Sequence, residues 1–154
     1  EEAVLENKIA EYDAFLTKQA PAFTVEELEE AMQKVMDQYA GGIGTHYQFN
    51  EKQLAMAEEK IKKLQILAKG LAAADMHELM FIYELKERLT VCLTVIAHLR
   101  ARKETRWHSF AENLDYPEKS DAWLCYVNSK KNGDQITMIR RDLVKGGETY
   151  EHRD

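Results

Sequence analysis

The chain has 154 residues, of which 45% are hydrophobic and 31% are charged. This balance is typical of one globular domain and argues against intrinsic disorder. The formal net charge of −6 disfavours nucleic acid as a partner, because binding to phosphates requires concentrated Lys and Arg. No uncharged stretch reaches the roughly 18 to 20 residues that span a bilayer, so we expect no direct membrane insertion.

The cysteines and the start of the chain bear on its cellular context. Cys92 and Cys125 lie in patterns of regular structure without a Cys-x-x-Cys motif, which favours two reduced thiols over a disulfide framework. Reduced thiols favour a cytoplasmic location. The chain begins at Glu1 without an initiator Met or a signal-peptide pattern, and we interpret it as a fragment of a longer protein.

Apolar residues at three- and four-residue spacing predict helices over the first two thirds of the chain. Residues 1–20 are expected to form an N-terminal helix whose apolar face comprises Leu5, Ile9, Tyr12 and Leu16. Residues 24–102 are expected to form a helical bundle. Its last helix, at about 76–102, is apolar on more than one side and should therefore be central. The broad face predicted for it comprises Leu79, Tyr83, Leu89, Cys92, Leu93, Ile96 and Leu99.

Three pairs of residues mark helix starts in this bundle. Each has a capping residue followed, three positions later, by a residue that can return the hydrogen bond. They are Thr24 with Glu27, Asn50 with Gln53, and Asp75 with Glu78. The stretch Gly41-Gly42-Ile43-Gly44 is interpreted as a helix stop and turn, since no strand precedes it and no Gly-Lys-Ser/Thr follows.

Residues 103–121, which we call the signature loop, connect the bundle to a segment with strand character. The stretch from Arg102 to Pro117 combines three residues able to form charge-assisted hydrogen bonds with three aromatic residues that favour burial. They are Glu104, Arg106, Asp115, Trp107, Phe110 and Tyr116. Such residues either lock the loop onto its own helices or form an interaction surface.

A β-hairpin is predicted at residues 122–142. Strand-like alternation flanks Asn132-Gly133, and both central positions of a type I′ turn require positive φ, which Asn and Gly tolerate. An isolated hairpin is only marginally stable, so this one should pack on the helices or pair with another strand. The tail, residues 143–154, is expected to be loose.

Motifs for independent chemistry fail their spacing tests. His77-Glu78 lacks a second His at position 81, and no Glu stands three residues before His77 or His98, which disfavours helical metal sites. A Gly-x-Ser-x-Gly nucleophile elbow and a Gly-x-Gly-x-x-Gly dinucleotide fingerprint are both absent from the sequence. We therefore assign this chain no catalytic, cofactor-binding or metal residues and expect it not to be catalytic by itself.

Glu104-Thr105-Arg106-Trp107 and Asp115-Tyr116-Pro117 resemble the C-terminal region of the fumarate reductase and succinate dehydrogenase flavoprotein family. The succinate-oxidising branch usually reads Glu-Ser-Arg-Gly and then Asp-Tyr/Phe-Pro. Trp107 in place of Gly, and a longer spacing to Asp115, make this sequence more similar to the adenylylsulfate reductase alpha-subunit branch. His108-Ser109 stands where that branch tends to have Pro-Gly, which leaves the substrate open between an adenylylsulfate reductase and a fumarate-reductase-like flavoprotein.

Together these features predict a mainly α fold, an antiparallel bundle of three to four helices followed by a C-terminal β-hairpin. The resemblance implies a non-catalytic C-terminal helical domain of an FAD-dependent oxidoreductase subunit, with FAD elsewhere in the parent protein. It also implies packing on the flavin-binding domain, with an iron–sulfur subunit as a further partner. The domain-interface candidates are Glu104, Arg106, Trp107, Asp115 and Tyr116. The alternative is a stand-alone helical-bundle module for protein interaction.

Overall fold

The computed structural model describes residues 2–133 and 135–144 and places a helical bundle before a hairpin. In chain order the elements are α1 (Glu2–Leu16), α2 (Val25–Tyr39), β1 (Gln48–Phe49), α3 (Glu51–Ala68), α4 (Met76–Ala101), β2 (Glu112–Asn113), β3 (Cys125–Asn132) and β4 (Gln135–Asp142). Short 3₁₀ helices lie at Ile43–Thr45 and Asp121–Trp123. This order confirms the predicted fold class. Of the predicted tail, residues 145–154 lie outside the described residues.

The predicted caps begin the helices of the bundle. At α2 the capping box is complete, since the Thr24 hydroxyl accepts a hydrogen bond from the Glu27 amide at 3.2 Å and the Glu27 carboxylate accepts one from the Thr24 amide at 2.9 Å. Asn50 and Asp75 cap α3 and α4 with their side-chain oxygens, as predicted. At α3 the predicted return bond from Gln53 does not form, because Gln53 Oε1 is buried without a hydrogen-bond partner among the described residues. At α4, however, Glu78 accepts from the backbone one residue before the cap. Each cap satisfies amides that a helix start leaves unpaired.

The longest helix, α4, occupies the centre of the molecule as predicted. It contacts α1, α2, α3 and both strands of the hairpin. The predicted face is too narrow, because Ile82 and Leu85, absent from it, are 0% and 1% exposed. A helix with neighbours on several sides buries more of its surface than a single line of residues at three- and four-residue spacing. No helix in the described part of the chain combines the length and the apolar character that crossing a membrane requires.

The apolar face predicted for α1 is wrong in its first half. Leu5 and Ile9 are 62% and 49% exposed, whereas Phe15, which was not predicted, is buried. The helix meets the core near its C-terminal end, where the Phe15 carbonyl accepts a hydrogen bond from the Ala73 amide at 3.0 Å. Regular spacing predicted the helix correctly, but it could not reveal that only one end has a partner.

The hairpin forms where it was predicted and packs on α4. Its turn lies one residue later than expected, because Asn132 pairs with Gln135 and is therefore the last residue of β3. Gly133 occupies the first turn position with a φ of +60°, a conformation that glycine adopts at little cost. The other central residue lies outside the described residues.

Candidate domain-docking site

A buried carboxylate braces the base of the signature loop. The Glu104 side chain has no solvent exposure, and both of its oxygens accept hydrogen bonds. Oε1 accepts from Arg102 at 2.6 Å and from Arg106 at 2.8 Å, while Oε2 accepts from Arg106 at 2.9 Å and from the Ser120 amide at 2.9 Å. Two parallel bonds to one guanidinium give strength and a fixed geometry. We call Arg102, Glu104, Arg106 and Ser120 the Glu104 hub.

The environment of the Glu104 hub keeps its carboxylate charged. Burial alone would raise the pKa of Glu104, but the hydrogen bonds from Arg106, the Ser120 amide and Arg102 outweigh burial and lower this pKa from 4.5 to about 2. A carboxylate with so low a pKa neither gives nor takes a proton near neutral pH. Glu104 is therefore a structural anion.

Arg102 extends the hub to the start of the hairpin. Its guanidinium donates to the carbonyl oxygens of Trp123 at 2.8 Å and Cys125 at 3.0 Å, and it lies 5.9 Å from the centre of the Trp123 ring. Arg106 donates similarly to the Ser120 carbonyl at 3.1 Å. The end of α4, the signature loop and β3 are thus held together through one anion.

A second set of hydrogen bonds, made by uncharged groups around Thr105, joins the two ends of the loop. Thr105 is 1% exposed, and its hydroxyl donates to the Tyr116 carbonyl at 2.9 Å while accepting from the Asn113 amide at 2.9 Å. The Thr105 amide donates to the Glu118 carbonyl at 3.2 Å. Sequence reasoning missed Thr105 and Asn113, because small polar residues are common in loops and nothing marks those that become buried.

The loop also pairs with the connection between α2 and α3. Strands β1 and β2 run parallel, with amide-to-carbonyl bonds from Glu112 to Tyr47 at 2.9 Å and from Leu114 to Phe49 at 2.8 Å. Beside them, Asp115 accepts a hydrogen bond from the Glu51 amide at 2.7 Å, at the first residue of α3. A carboxylate at this position satisfies a free amide and opposes the positive end of the helix dipole.

Aromatic side chains project from the outer end of the loop. Trp107 and Phe110 are 68% and 75% exposed, and Tyr47, 37% exposed, has its ring centre 6.5 Å from that of Phe110. Between the first two, Ser109 turns the chain with a φ of +71°. We call Tyr47, Trp107 and Phe110 the aromatic tip. Tyr47 was not predicted as a site residue, because it belongs to a separate segment of the sequence.

The five predicted interface residues therefore divide into two groups. Glu104, Arg106 and Asp115 point to partners within this chain, as in the interpretation that the loop locks onto its own helices. Trp107 and Tyr116 remain exposed, and Tyr116 has the Lys103 ammonium 5.0 Å from its ring centre. The expectation that the loop aromatics bury their apolar area is wrong within this chain.

Beneath the loop lies a cavity of about 240 Å³ between α4, the hub and β3, lined in part by His98, Trp107 and Val127. The charges of Glu104 and Arg106 that line it are paired with each other. Within residues 2–133 and 135–144, no three His, Cys, Asp or Glu side chains converge where a metal ion could bind. The two cysteines are free and half-buried.

The glycine-rich stretch after α2 does not fit a dinucleotide. Gly41 takes a φ of +74°, and the Gly44 amide donates to the Asp37 carboxylate at 2.9 Å. At Gly42, an added Cβ would lie only 2.4 Å from the Asp37 Cα. An aspartate therefore occupies the place where a phosphate loop needs free amides, and its negative charge would repel a pyrophosphate. The interpretation as a helix stop and turn is confirmed.

Comparison with known proteins gives consistent matches. A family model described as the C-terminal region of the fumarate reductase flavoprotein matches residues 29–148. The alpha subunit of adenylylsulfate reductase from Megalodesulfovibrio gigas is 34% identical over 98 residues, an alignment that covers 63% of this chain and 15% of that protein.

Solved structures resemble almost the whole chain. Adenylylsulfate reductase from Archaeoglobus fulgidus superposes with a TM-score of 0.87 at 32% identity, over 98% of this chain and 26% of its own. An adenosine-5-phosphosulfate reductase in complex with sulfite gives 0.88 at 32% identity with the same coverage. E. coli quinol fumarate reductase gives 0.76 at 18% identity, over 97% of this chain and 26% of its own, a likeness of fold alone. The chain spans about a quarter of the length of these relatives.

Proposed function

This chain belongs to the family of fumarate reductase flavoprotein C-terminal regions, and we propose that it is the non-catalytic helical domain of an FAD-dependent oxidoreductase subunit. The observation that carries the proposal is the superposition of 98% of the chain on 26% of an adenosine-5-phosphosulfate reductase. The predicted similarity to the adenylylsulfate reductase branch is confirmed, since superpositions of almost the whole chain give 32% identity to one such relative against 18% to the quinol fumarate reductase. The parent enzyme is accordingly an adenylylsulfate reductase or a fumarate-reductase-like flavoprotein.

The contribution of this domain is structural. FAD, bound elsewhere in the parent subunit, supplies the electron-transfer chemistry, as membership of a flavoprotein family implies. The buried ionisable group of the signature loop, Glu104, is fixed by four hydrogen bonds and remains charged. The domain packs on the flavin-binding part of a cytoplasmic enzyme, with an iron–sulfur subunit as a further partner.

Flavin absorbance tests the proposal directly. The full-length gene product should carry a yellow cofactor, and its sequence should contain a strand followed by Gly-x-Gly-x-x-Gly. The 154-residue chain purified alone should be colourless under the same conditions. Flavin bound to the isolated chain would contradict our assignment of the cofactor site. A full-length product with neither the fingerprint nor FAD would instead favour the stand-alone interaction module.

A further inference from the structure

We propose that the aromatic tip, Tyr47, Trp107 and Phe110, is the surface on which the flavin-binding part of the same subunit docks. This inference rests on the proposed function. It assigns the docking role mostly to side chains that were not among the predicted interface residues. Of the five predicted interface residues only Trp107 belongs to the tip. The three charged residues support the loop and do not themselves contact the partner, because their polar atoms bond within the chain; they are Glu104, Arg106 and Asp115.

The backbone that carries the tip is held by hydrogen bonds within the loop. Arg106, held in two hydrogen bonds by buried Glu104, immediately precedes Trp107. Within the turn, the amides of Phe110 and Ala111 donate to the Trp107 carbonyl at 3.2 and 3.0 Å. A backbone that is held before binding loses less conformational freedom when it binds, so a given contact area stabilises the complex more.

Backbone strain is concentrated in the two segments that form the tip. Among the described residues, four non-glycine residues have positive φ, and three of them, His46, Tyr47 and Ser109, lie in these segments. Non-glycine residues adopt this conformation rarely, and clusters of strain are typical of functional sites. Here the strained segments expose large aromatic side chains to water, which indicates a surface that a partner covers.

The composition of the region fits an interface that is covered permanently. Aromatic residues form its centre, and His108 and Glu112 supply part of a polar rim, with His108 Nδ1 and a Glu112 carboxylate oxygen 3.5 Å apart. A covalently linked domain stays at high effective concentration, whereas a separate subunit leaves the surface bare whenever it dissociates. The solved relatives have about three quarters of their length outside the matched part, which provides such a domain.

Hydroxyl-radical labelling of the full-length gene product, purified without an iron–sulfur subunit, tests this inference. Tyr126 on the outer face of the hairpin, 50% exposed, is the reference. If the tip were bare, Trp107 and Phe110 would label faster than Tyr126 after correction for intrinsic reactivity. We expect the reverse order, with both tip residues at least tenfold slower. Phe110→Ser should raise the labelling of Trp107 relative to Tyr126 several-fold, and the matched control Phe23→Ser, at a position 41% exposed before α2, should leave it unchanged.

The other outcomes separate the two proposals. A tip that stays reactive in a product holding FAD overturns the docking inference and leaves the proposed function standing. Protection that begins only on addition of the iron–sulfur subunit, or only at high protein concentration, also overturns it by assigning the tip to that subunit or to a second copy. A product with neither FAD nor the Gly-x-Gly-x-x-Gly fingerprint overturns the proposed function and this inference with it.

Discussion

Glu104→Gln removes the negative charge of the Glu104 hub while keeping the size of the side chain and both guanidinium groups. A carboxyl pKa of 4.5 before folding and about 2 after it corresponds to roughly 3 kcal/mol of stability at neutral pH. Breaking a buried ion pair from one side costs a similar amount, about 3 to 5 kcal/mol. Arg102 and Arg106 retain 29% and 18% side-chain exposure and can be partly rehydrated, so we expect a loss of about 3 kcal/mol at pH 7.

The same substitution should change how stability depends on pH. Because the folded-state pKa of Glu104 is the lower one, its contribution is complete above pH 4.5 and is lost as the pH falls towards 2. Between pH 5 and pH 3 the wild type should lose roughly 2 kcal/mol from this group, whereas the glutamine variant has no such group to protonate. The difference between the two proteins should therefore shrink to roughly 1 kcal/mol at pH 3.

Urea unfolding followed by circular dichroism, at pH 7 and at pH 3, measures both quantities. Glu87→Gln is the matched control, because Glu87 is exposed on α4 and its loss should change stability by no more than about 0.5 kcal/mol. Comparing each variant with the wild type at the same pH cancels the titration of every other carboxylate. A Glu104 variant as stable as the control at pH 7, or a deficit equal at both pH values, would refute the account of the hub.

Two further substitutions test the loop by the same unfolding measurement. Ser109→Gly should stabilise the chain by about 0.5 to 1 kcal/mol, because glycine adopts the φ of +71° without strain. The control Ser129→Gly, in the extended strand β3, should destabilise it. A loss of stability at both positions would contradict the strain argument. Asp115→Ala should cost about 1 kcal/mol by freeing the Glu51 amide at the start of α3, and an unchanged stability would show that water replaces the carboxylate there.

The helices were predictable because their signals are local. A capping residue and its partner lie three positions apart, so the complete box at Thr24 could be found without knowing any tertiary contact. The same holds for the hairpin, whose turn was misplaced by one residue. The exposed Leu5 of α1 shows the limit, since spacing predicts which residues share a face but not whether anything covers it.

The candidate site was only partly predictable because its contacts join distant segments. The sequence identified Glu104 and Arg106 as residues able to form charge-assisted hydrogen bonds, and the structure shows that they bond to each other. It could not show that the Ser120 amide completes the hub or that Tyr47 joins the tip, since neither has a local pattern. Strands β1 and β2, of two residues each, are likewise too short to produce any alternation.

The hydrogen bond from the Glu51 amide to Asp115 has a consequence for the order in which the protein assembles. The two residues are 64 positions apart, so during synthesis the first turn of α3 leaves the ribosome long before its carboxylate partner exists. Contacts of such high sequence separation form late, because chain entropy must be lost before they can form. The bundle should therefore acquire its helices first, and the closing of the signature loop should be the event that completes the start of α3.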